Sequence, residues 1–272
     1  GSVSVYKRQN IGYIQITSFD LNTSKEFTEA LNLMRENNVK NIILDLRNNP
    51  GGVVATAVEA AKQIVPEGKI IDVKYRDSQY DITFNSDLET KEFDFFVLVN
   101  ENTASAAEIL ASAIQDSECG KLIGTTTYGK AVIQNQFKLD NGMAFKLTIG
   151  QYITRNGHEI NHIGLTPNVQ IENEEVNIDD SDLTAFDFKT NVSVGNSSDN
   201  VIAAKERFSI MGIYNGETSS NIMTEDFKEI ISNFQKSNDI FSYGILDVAT
   251  QKKIDELFSQ IKVIKDNQFD KA

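Results

Sequence analysis

The sequence predicts an α/β fold for residues 1–172 and a small helical domain in the last part of the chain. Two nearly continuous apolar runs, NIILDL at residues 41–46 and DFFVLV at 94–99, are typical of strands buried on both faces of a parallel sheet. Each run leads into a polar loop and then into a segment whose apolar residues have helical spacing. Strands and helices that alternate in this way predict an α/β sheet with binding sites at the carboxyl ends of its strands.

The other elements of the first part follow from shorter patterns. Thr23 or Ser24 begins the first helix, and the second helix covers residues 54–65 and ends before Pro66. The third helix follows Ser105, with apolar residues at the spacing i, i+3, i+4, i+7 and i+8. Further strands are predicted at residues 11–19, 70–76, 80–84, 121–124, 132–139 and 143–154, and residues 163–171 close the first unit.

The composition of the chain changes after residue 172. Residues 173–198 are acidic and rich in Ser, Asn and Gly, which predicts a linker between two domains. Residues 199–272 form the predicted small helical domain, and the polar tail DNQFDKA at its end is expected to fray. Its helical patterns lie at about residues 199–211, 224–237 and 248–262.

Charge and residue counts argue against several classes of function. The chain of 272 residues carries a formal net charge of −13, which disfavours nucleic acid as a partner because its phosphates would be repelled. The single cysteine, Cys119, allows no internal disulfide. The two histidines, His158 and His162, lie beside glycines in a predicted turn, so we expect no metal site there. No stretch reaches the roughly 20 apolar residues of a membrane span.

Two polar loops at predicted strand ends carry residues suited to chemistry. They are LDLRNNPGG (44–52) and VLVNENTASAAEI (97–109), and each leads into a helix whose first N–H groups favour an anion. Ser105 begins the second of these helices and has the spacing of a capping box with Glu108, which is a structural role. A nucleophile at the same position would gain from the helix N-terminus, which stabilises negative charge. The motifs GxxxxGK[ST], GxGxxG and GxSxG are absent from the sequence.

A serine nucleophile needs a base, and the sequence offers a lysine for that role. A solvated lysine has a pKa of about 10.4, so a lysine base needs apolar surroundings that favour its neutral form. Lys130 lies in TYGKAVIQ and has the least charged neighbourhood of any lysine in the chain. Exposure to solvent is the structural alternative for a lysine in a loop.

These motifs together resemble the core of the carboxyl-terminal processing proteases, also called tail-specific proteases. LDLRNNPGG, VLVNENTASAAEI and IGTTTYGKAVIQ are the central matches, and YIQITSF and NGHEINHIGLTPNVQI flank them in the same order. The resemblance covers about residues 3–172. It implies a crotonase/ClpP-like protease core with mixed β-sheets and helices, and a serine endopeptidase that cleaves proteins or peptides near their C-termini through an acyl-enzyme.

The resemblance also implies roles for individual residues. Ser105 is expected to be the nucleophile and Lys130 its general base, with Gln134 holding the lysine in place. No cofactor or metal takes part in this chemistry. The oxyanion hole is expected to consist of backbone N–H groups at Gly51, Gly52 and Ala106.

Two other residues of this region, Thr103 and Asp116, have a functional and a structural interpretation. Thr103 is the alternative nucleophile, and the family pattern together with the helix start favours Ser105 over it. Asp116 falls at a position that is acidic in some members of the family. We expect a structural role for Asp116, because it lies near the C-terminal end of the same predicted helix.

The resemblance extends to partners and location. It implies a PDZ domain upstream of the core, outside this chain, and an extracytoplasmic location in a bacterial cell envelope. Residues 198–258 resemble, more faintly, a peptidoglycan-binding helical module; a helical domain that only packs on the core is the alternative. The rival to a protease is an inactive or degenerate member of the family that binds peptide or cell wall without cleaving it.

Overall fold

The computed structural model describes residues 1–8, 10–140 and 142–272, and the chain divides into two compact units. The first unit contains Gly1–Asn173 together with Asp266–Ala272. The second unit contains Glu174–Lys265. The chain therefore leaves the first unit close to the boundary expected from composition, and its final residues return to that unit.

The secondary structure alternates strands and helices through the first unit and is mainly helical in the second. No helix in the described parts of the chain is long and apolar enough to cross a membrane. The helices are α1 (Thr23–Glu36), α2 (Val54–Lys62), α3 (Ala106–Asp116), α4 (Asp199–Ile210), α5 (Glu225–Ser237), α6 (Val248–Ser259) and α7 (Asn267–Lys271). The strands are β1 (Val3–Arg8), β2 (Ile11–Ile16), β3 (Asn41–Asp45), β4 (Gly68–Tyr75), β5 (Ile82–Ser86), β6 (Asp94–Val99), β7 (Gly120–Gly124), β8 (Val132–Lys138), β9 (Ala144–Thr154), β10 (Val169–Gln170), β11 (Glu174–Asn177) and β12 (Lys262–Lys265).

A six-stranded sheet with the order β1-β2-β3-β6-β7-β10 forms the centre of the first unit. β1 is antiparallel to β2, and the other neighbours are parallel. The two apolar runs form β3 and β6, as predicted. Leu44 and Val97 belong to an apolar cluster that includes residues of α1, α2 and α3, whereas Ile43 and Leu98 belong to a separate cluster. Alternate residues of these strands are thus buried on opposite faces, which explains their continuous apolar sequence.

A second, antiparallel sheet has the order β5-β4-β9-β8. The strands predicted at residues 70–76 and 80–84 pair here as β4 and β5. β8 lies at the edge, and its register with β9 shifts between Ile133 and Gln134. Ile133 pairs with Gly150 and Gln134 with Thr148, so the extra residue of this bulge, Ile149, lies on β9. Residues 163–171, which were expected to close the first unit, contain the short strand β10, which pairs with β7.

The second unit packs α4, α5 and α6 around an apolar cluster that includes Phe208, Phe227 and Ile254. The three helices lie where the periodicity predicted them. The residues expected to form a linker are instead part of the folded second unit. β11 pairs with β12, and Phe186 and Val192 belong to the apolar cluster. Single apolar residues in a polar stretch gave no periodic signal, which is why composition alone suggested a linker.

The polar tail also differs from expectation. Instead of fraying, it forms α7, and Gln268 is 3% exposed. Ala272 packs against the apolar cluster that contains Ile43 and Leu98. The tail thus helps to cover one face of the six-stranded sheet.

Candidate active site

Three loops meet at the carboxyl ends of β3, β6 and β7. The backbone N–H of Ala104, after β6, donates to the carbonyl oxygen of Asn49, after β3, at 2.9 Å. The N–H of Tyr128, after β7, donates to the carbonyl oxygen of Thr103 at 3.0 Å. Parallel neighbouring strands end at the same edge of a sheet, so segments far apart in sequence come together there.

Ser105 precedes the first residue of α3 in a backbone conformation that few residues other than glycine adopt. Its φ is 58° and its ψ is −118°. A non-glycine residue in such a region carries strain of about 1–3 kcal/mol, and strain of this kind is concentrated at functional sites. A strained turn between a strand and a helix also presents the nucleophilic serine of the α/β-hydrolases. The conformation therefore favours a chemical role for Ser105 over that of a helix cap alone.

Gly51 fits directly against the Ser105 turn. A Cβ atom on Gly51 would lie 2.8 Å from the Cβ of Ser105 and 2.6 Å from the carbonyl oxygen of Ala104. Its φ of 94° lies in the region that favours glycine. The glycine in the loop after β3 is thus required by the close approach of the serine loop.

Glu108 joins the serine loop to the lysine loop. Its side chain is fully buried, and one carboxylate oxygen accepts hydrogen bonds from the backbone N–H groups of Ser105 (2.8 Å) and Lys130 (2.9 Å). The other oxygen accepts from the Gly129 N–H (2.7 Å) and the Thr127 hydroxyl (2.6 Å). A buried carboxylate with four donors is well satisfied, so it fixes the two loops to each other.

Lys130 follows Gly129, whose φ is 80°, and is half-buried. Its side chain forms no salt bridge within the described parts of the chain. Within the same described parts of the chain, Lys130 Nζ and Ser105 Oγ form no direct hydrogen bond. The backbones of the two residues are therefore held together, while the two side chains are not bonded to each other in this state.

Tyr152 on β9 makes a second connection between the same two residues. Its hydroxyl lies 3.1 Å from the carbonyl oxygen of Ser105 and donates to the carbonyl oxygen of Lys130. Burial raises the pKa of the Tyr152 phenol, and the nearby Glu108 carboxylate raises it further. The phenol therefore stays protonated and remains a hydrogen-bond donor.

The predicted oxyanion donors differ in their availability. The N–H of Gly51 already donates to Asn49 Oδ1 at 2.8 Å, and the Asn49 side chain is buried. Ala106 is the first residue of α3, where backbone N–H groups have no intrahelical acceptor. Gly52 forms a parallel β-bridge with Phe19. A Cβ on Gly52 would lie 2.0 Å from the Phe19 carbonyl oxygen. This arrangement leaves the N–H groups of Gly52 and Ala106 as the better donors.

Gln134 forms no hydrogen bond with Lys130 among the described residues. It is exposed on β8, and its side-chain nitrogen is 3.5 Å from Thr148 Oγ1. We expected Lys130 and Gln134 to share one face of an extended segment. Lys130 precedes the first residue of β8, so it lies outside the paired segment in which that alternation is defined.

Thr103 and Asp116 form hydrogen bonds that stabilise the fold. Thr103 is fully buried, and its hydroxyl donates to the Leu46 carbonyl oxygen at 2.8 Å, which ties it to the loop after β3. The Asp116 carboxylate accepts from the Asn156 N–H at 3.0 Å, in keeping with a structural role. His162 lies in a turn, as predicted, and its N–H donates to the Gly129 carbonyl oxygen at 2.7 Å.

Sequence reasoning missed three residues that shape this site. Glu108 was visible only as the partner in a capping box, although its spacing from Ser105 was a usable signal. Asn49 lies in the polar loop after β3, but nothing in the sequence indicated that its side chain is buried. Tyr152 lies in the middle of a strand, and no local pattern connects it with Ser105 or Lys130.

Comparison with known proteins relates the sequence of this chain to peptidases. The sequence model of Peptidase family S41 matches residues 10–171. The carboxy-terminal processing protease CtpA of Bacillus subtilis is 34% identical over 272 residues, which are 99% of this chain and 57% of that protein. The carboxyl-terminal-processing protease of Synechocystis sp. is 38% identical over 165 residues, which are 60% of this chain and 38% of that protein.

A solved structure gives the same result for the fold. The photosystem II D1 C-terminal processing protease matches with a TM-score of 0.55 and 34% identity, covering 60% of this chain and 42% of that one. This chain spans about half the length of the curated relatives that it matches along its whole length. The match to the family covers more than half of the chain and includes all three loops of the site, and the chain belongs to peptidase family S41.

Proposed function

We propose that this chain is a serine endopeptidase in which Ser105 is the nucleophile and Lys130 is the general base. The observation that carries the proposal is the buried carboxylate of Glu108, which binds the backbone N–H groups of both residues. Two residues of suitable chemistry, far apart in the sequence, are thus held in adjoining loops. The strained backbone of Ser105 supports the same assignment.

The reaction proceeds through an acyl-enzyme. Ser105 Oγ attacks the carbonyl carbon of the scissile peptide bond while the neutral amine of Lys130 takes its proton. The N–H groups of Gly52 and Ala106 donate to the oxyanion of the tetrahedral intermediate. Lys130 then returns the proton to the leaving amine, and a water molecule, activated by the same lysine, releases the acyl group.

The surroundings of Lys130 support its role as a base. A lysine paired with a carboxylate is held in its charged form, which cannot accept a proton. Lys130 takes part in no salt bridge of the described residues, although Glu108 binds its backbone N–H. We include Gln134 in the proposal as the residue that holds the amine when substrate is bound.

Substrates, partners and location belong to the same proposal. The relatives are named as carboxyl-terminal processing proteases, so we propose that protein or peptide substrates are cleaved near their C-termini. We also propose that the protein works outside the cytoplasm, with an upstream PDZ domain outside this chain. The second unit, Glu174–Lys265, is proposed to bind peptidoglycan through its helices.

Cleavage of an unfolded protein such as casein tests the assignment of both residues. Ser105→Ala and Lys130→Ala should each abolish cleavage without lowering the thermal midpoint of unfolding by more than a few degrees. Ser117→Ala, at the other end of α3, and Lys121→Ala, exposed on β7, are the matched controls and should cleave like the parent chain.

The results also decide between an enzyme and a binding protein. Cleavage by Ser105→Ala at the parent rate would show that another residue is the nucleophile. A parent chain that binds casein without cleaving it, even with an upstream domain supplied, would point to the inactive, peptide-binding alternative.

A further inference from the structure

The returning tail contacts the loop that carries the glycine pair. β12 ends at Lys265, and the next residue, Asp266, places its carboxylate oxygen 2.6 Å from Nη1 of Arg47. The other side of the same guanidinium faces Asp45, whose Oδ2 is 2.6 Å from Nη2. The Arg47 side chain is 15% exposed and the Asp45 side chain 1% exposed, so the tail closes a largely buried charge cluster.

Gln268 fixes the tail in this place. Its backbone N–H donates to Asn173 Oδ1 at 3.1 Å, and its side-chain nitrogen donates to the Ile171 carbonyl oxygen at 3.1 Å. Its side-chain oxygen lies 3.5 Å from Nη1 of Arg47. Asn173 and Asp266 are the residues at which the chain leaves and re-enters the first unit. The second unit is therefore inserted in the chain between Asn173 and Asp266, and both of these residues are held in place beside Arg47.

Arg47 connects this cluster to the proposed oxyanion donors. Its backbone N–H donates to Asp45 Oδ1 at 3.0 Å. Two residues later, the buried Asn49 side chain accepts from the Gly51 N–H, and its carbonyl oxygen accepts from the N–H of Ala104. Arg47 is thus connected through a few residues of backbone to the glycine pair and to the turn before Ser105.

We propose that Asp266, supported by Gln268, is a positioning residue for the active site. It holds Arg47 from the side opposite Asp45 and so keeps the loop of residues 47–52 in the conformation that presents the Gly52 N–H. The role of this loop in catalysis rests on the proposed function, whereas its dependence on Asp266 does not. Asp266 acts through Arg47 and needs no contact with substrate.

Two measurements on the whole chain test the proposal. Asp266→Asn removes the charge and should speed amide hydrogen exchange in residues 47–52, and it should lower kcat about two- to fivefold with KM unchanged, as expected for the loss of a partly exposed ion pair. Asp266→Glu keeps the carboxylate and should restore both values. Asp270→Asn makes the same change of charge at an exposed position of α7 and is the matched control.

The exchange measurement keeps the test independent of the proposed function. Equal exchange of residues 47–52 in Asp266→Asn and Asp270→Asn would overturn the proposal, and so would an equal loss of kcat in the two variants. A chain without peptidase activity would still give the exchange result. If Asp266→Asn fails to fold, Gln268→Ala replaces it; this variant keeps both carboxylates and should speed exchange in the same residues, and unchanged exchange would count against the proposal.

Discussion

The backbone N–H of Lys130 donates a hydrogen bond of 2.9 Å to the buried carboxylate of Glu108. The same carboxylate oxygen accepts from Ser105 at 2.8 Å. A single atom therefore sets the separation of the two backbones that carry the proposed nucleophile and base. Since Glu108 lies on the first turn of α3, its position is fixed by the helix and the core beneath it.

Replacing this carboxylate by an amide should damage both stability and activity. In Glu108→Gln one oxygen becomes an NH₂ group, which cannot accept from the N–H groups that it faces. A buried donor left without an acceptor costs about 1–3 kcal/mol, and more when the lost acceptor was charged. We expect the free energy of unfolding to fall by about 3 kcal/mol and turnover to fall at least tenfold, measured by urea unfolding and casein cleavage.

Glu118→Gln controls for the change of charge, because Glu118 is exposed just beyond α3. It should alter neither quantity beyond error. A Glu108→Gln protein as stable and active as the parent would show that the buried carboxylate does not hold the loops.

A methyl group on Gly51 should displace the turn that holds Ser105. In Gly51→Ala the new Cβ would lie 2.6–2.8 Å from atoms of Ala104, Ser105 and Ala106, closer than real contacts. Gly157→Ala is the matched control, since Gly157 has a similar positive φ of 85° and open space around it. Both variants carry the backbone cost of about 1–2 kcal/mol, but only Gly51→Ala should also lose most of its cleavage of casein. Equal activity of the two variants would contradict the close packing of the loops.

Alkaline pH should destabilise the chain through Tyr152, which is buried, and Tyr13, which is half-buried. Burial raises the pKa of Tyr152 above its ordinary value of 10.0, and burial together with Asp45 raises the pKa of Tyr13. Above about pH 10 the unfolded chain releases these protons and the folded chain keeps them, so the free energy of unfolding falls as pH rises. Urea unfolding at several pH values between 8 and 11 measures this slope.

Two tyrosine variants separate this effect from other titrations. Tyr152→Phe has no phenol to ionise and should show a shallower fall than the parent chain. Tyr80→Phe, at a side chain that is 62% exposed, controls for the loss of a tyrosine hydroxyl. Identical slopes in the parent and Tyr152→Phe chains would contradict the raised pKa of Tyr152.

The features that the sequence predicts leave a local signal, whereas the features that it misses depend on residues far apart in the chain. The strands β3 and β6 were predictable because burial on both faces leaves a local record, a continuous apolar run. The helix start at Ser105 was predictable because capping has a short spacing. The hydrogen bonds of Tyr152, the packing of α7 and the bulge at Ile149 depend on residues distant in sequence, and no local period records them.

The role of Gln134 depends on a hydrogen bond to Lys130 that forms when substrate is bound. Gln134 is exposed and bonds only weakly to Thr148, so Gln134→Ala should change the free energy of unfolding by less than about 0.5 kcal/mol. If Gln134 holds the amine of Lys130 when substrate is bound, as we propose, the same variant should lower kcat about tenfold. Gln136→Ala, exposed two residues further along β8, is the matched control and should cleave at the parent rate. Parent-like turnover of Gln134→Ala would remove Gln134 from the mechanism and leave Ser105 and Lys130 as the reacting side chains.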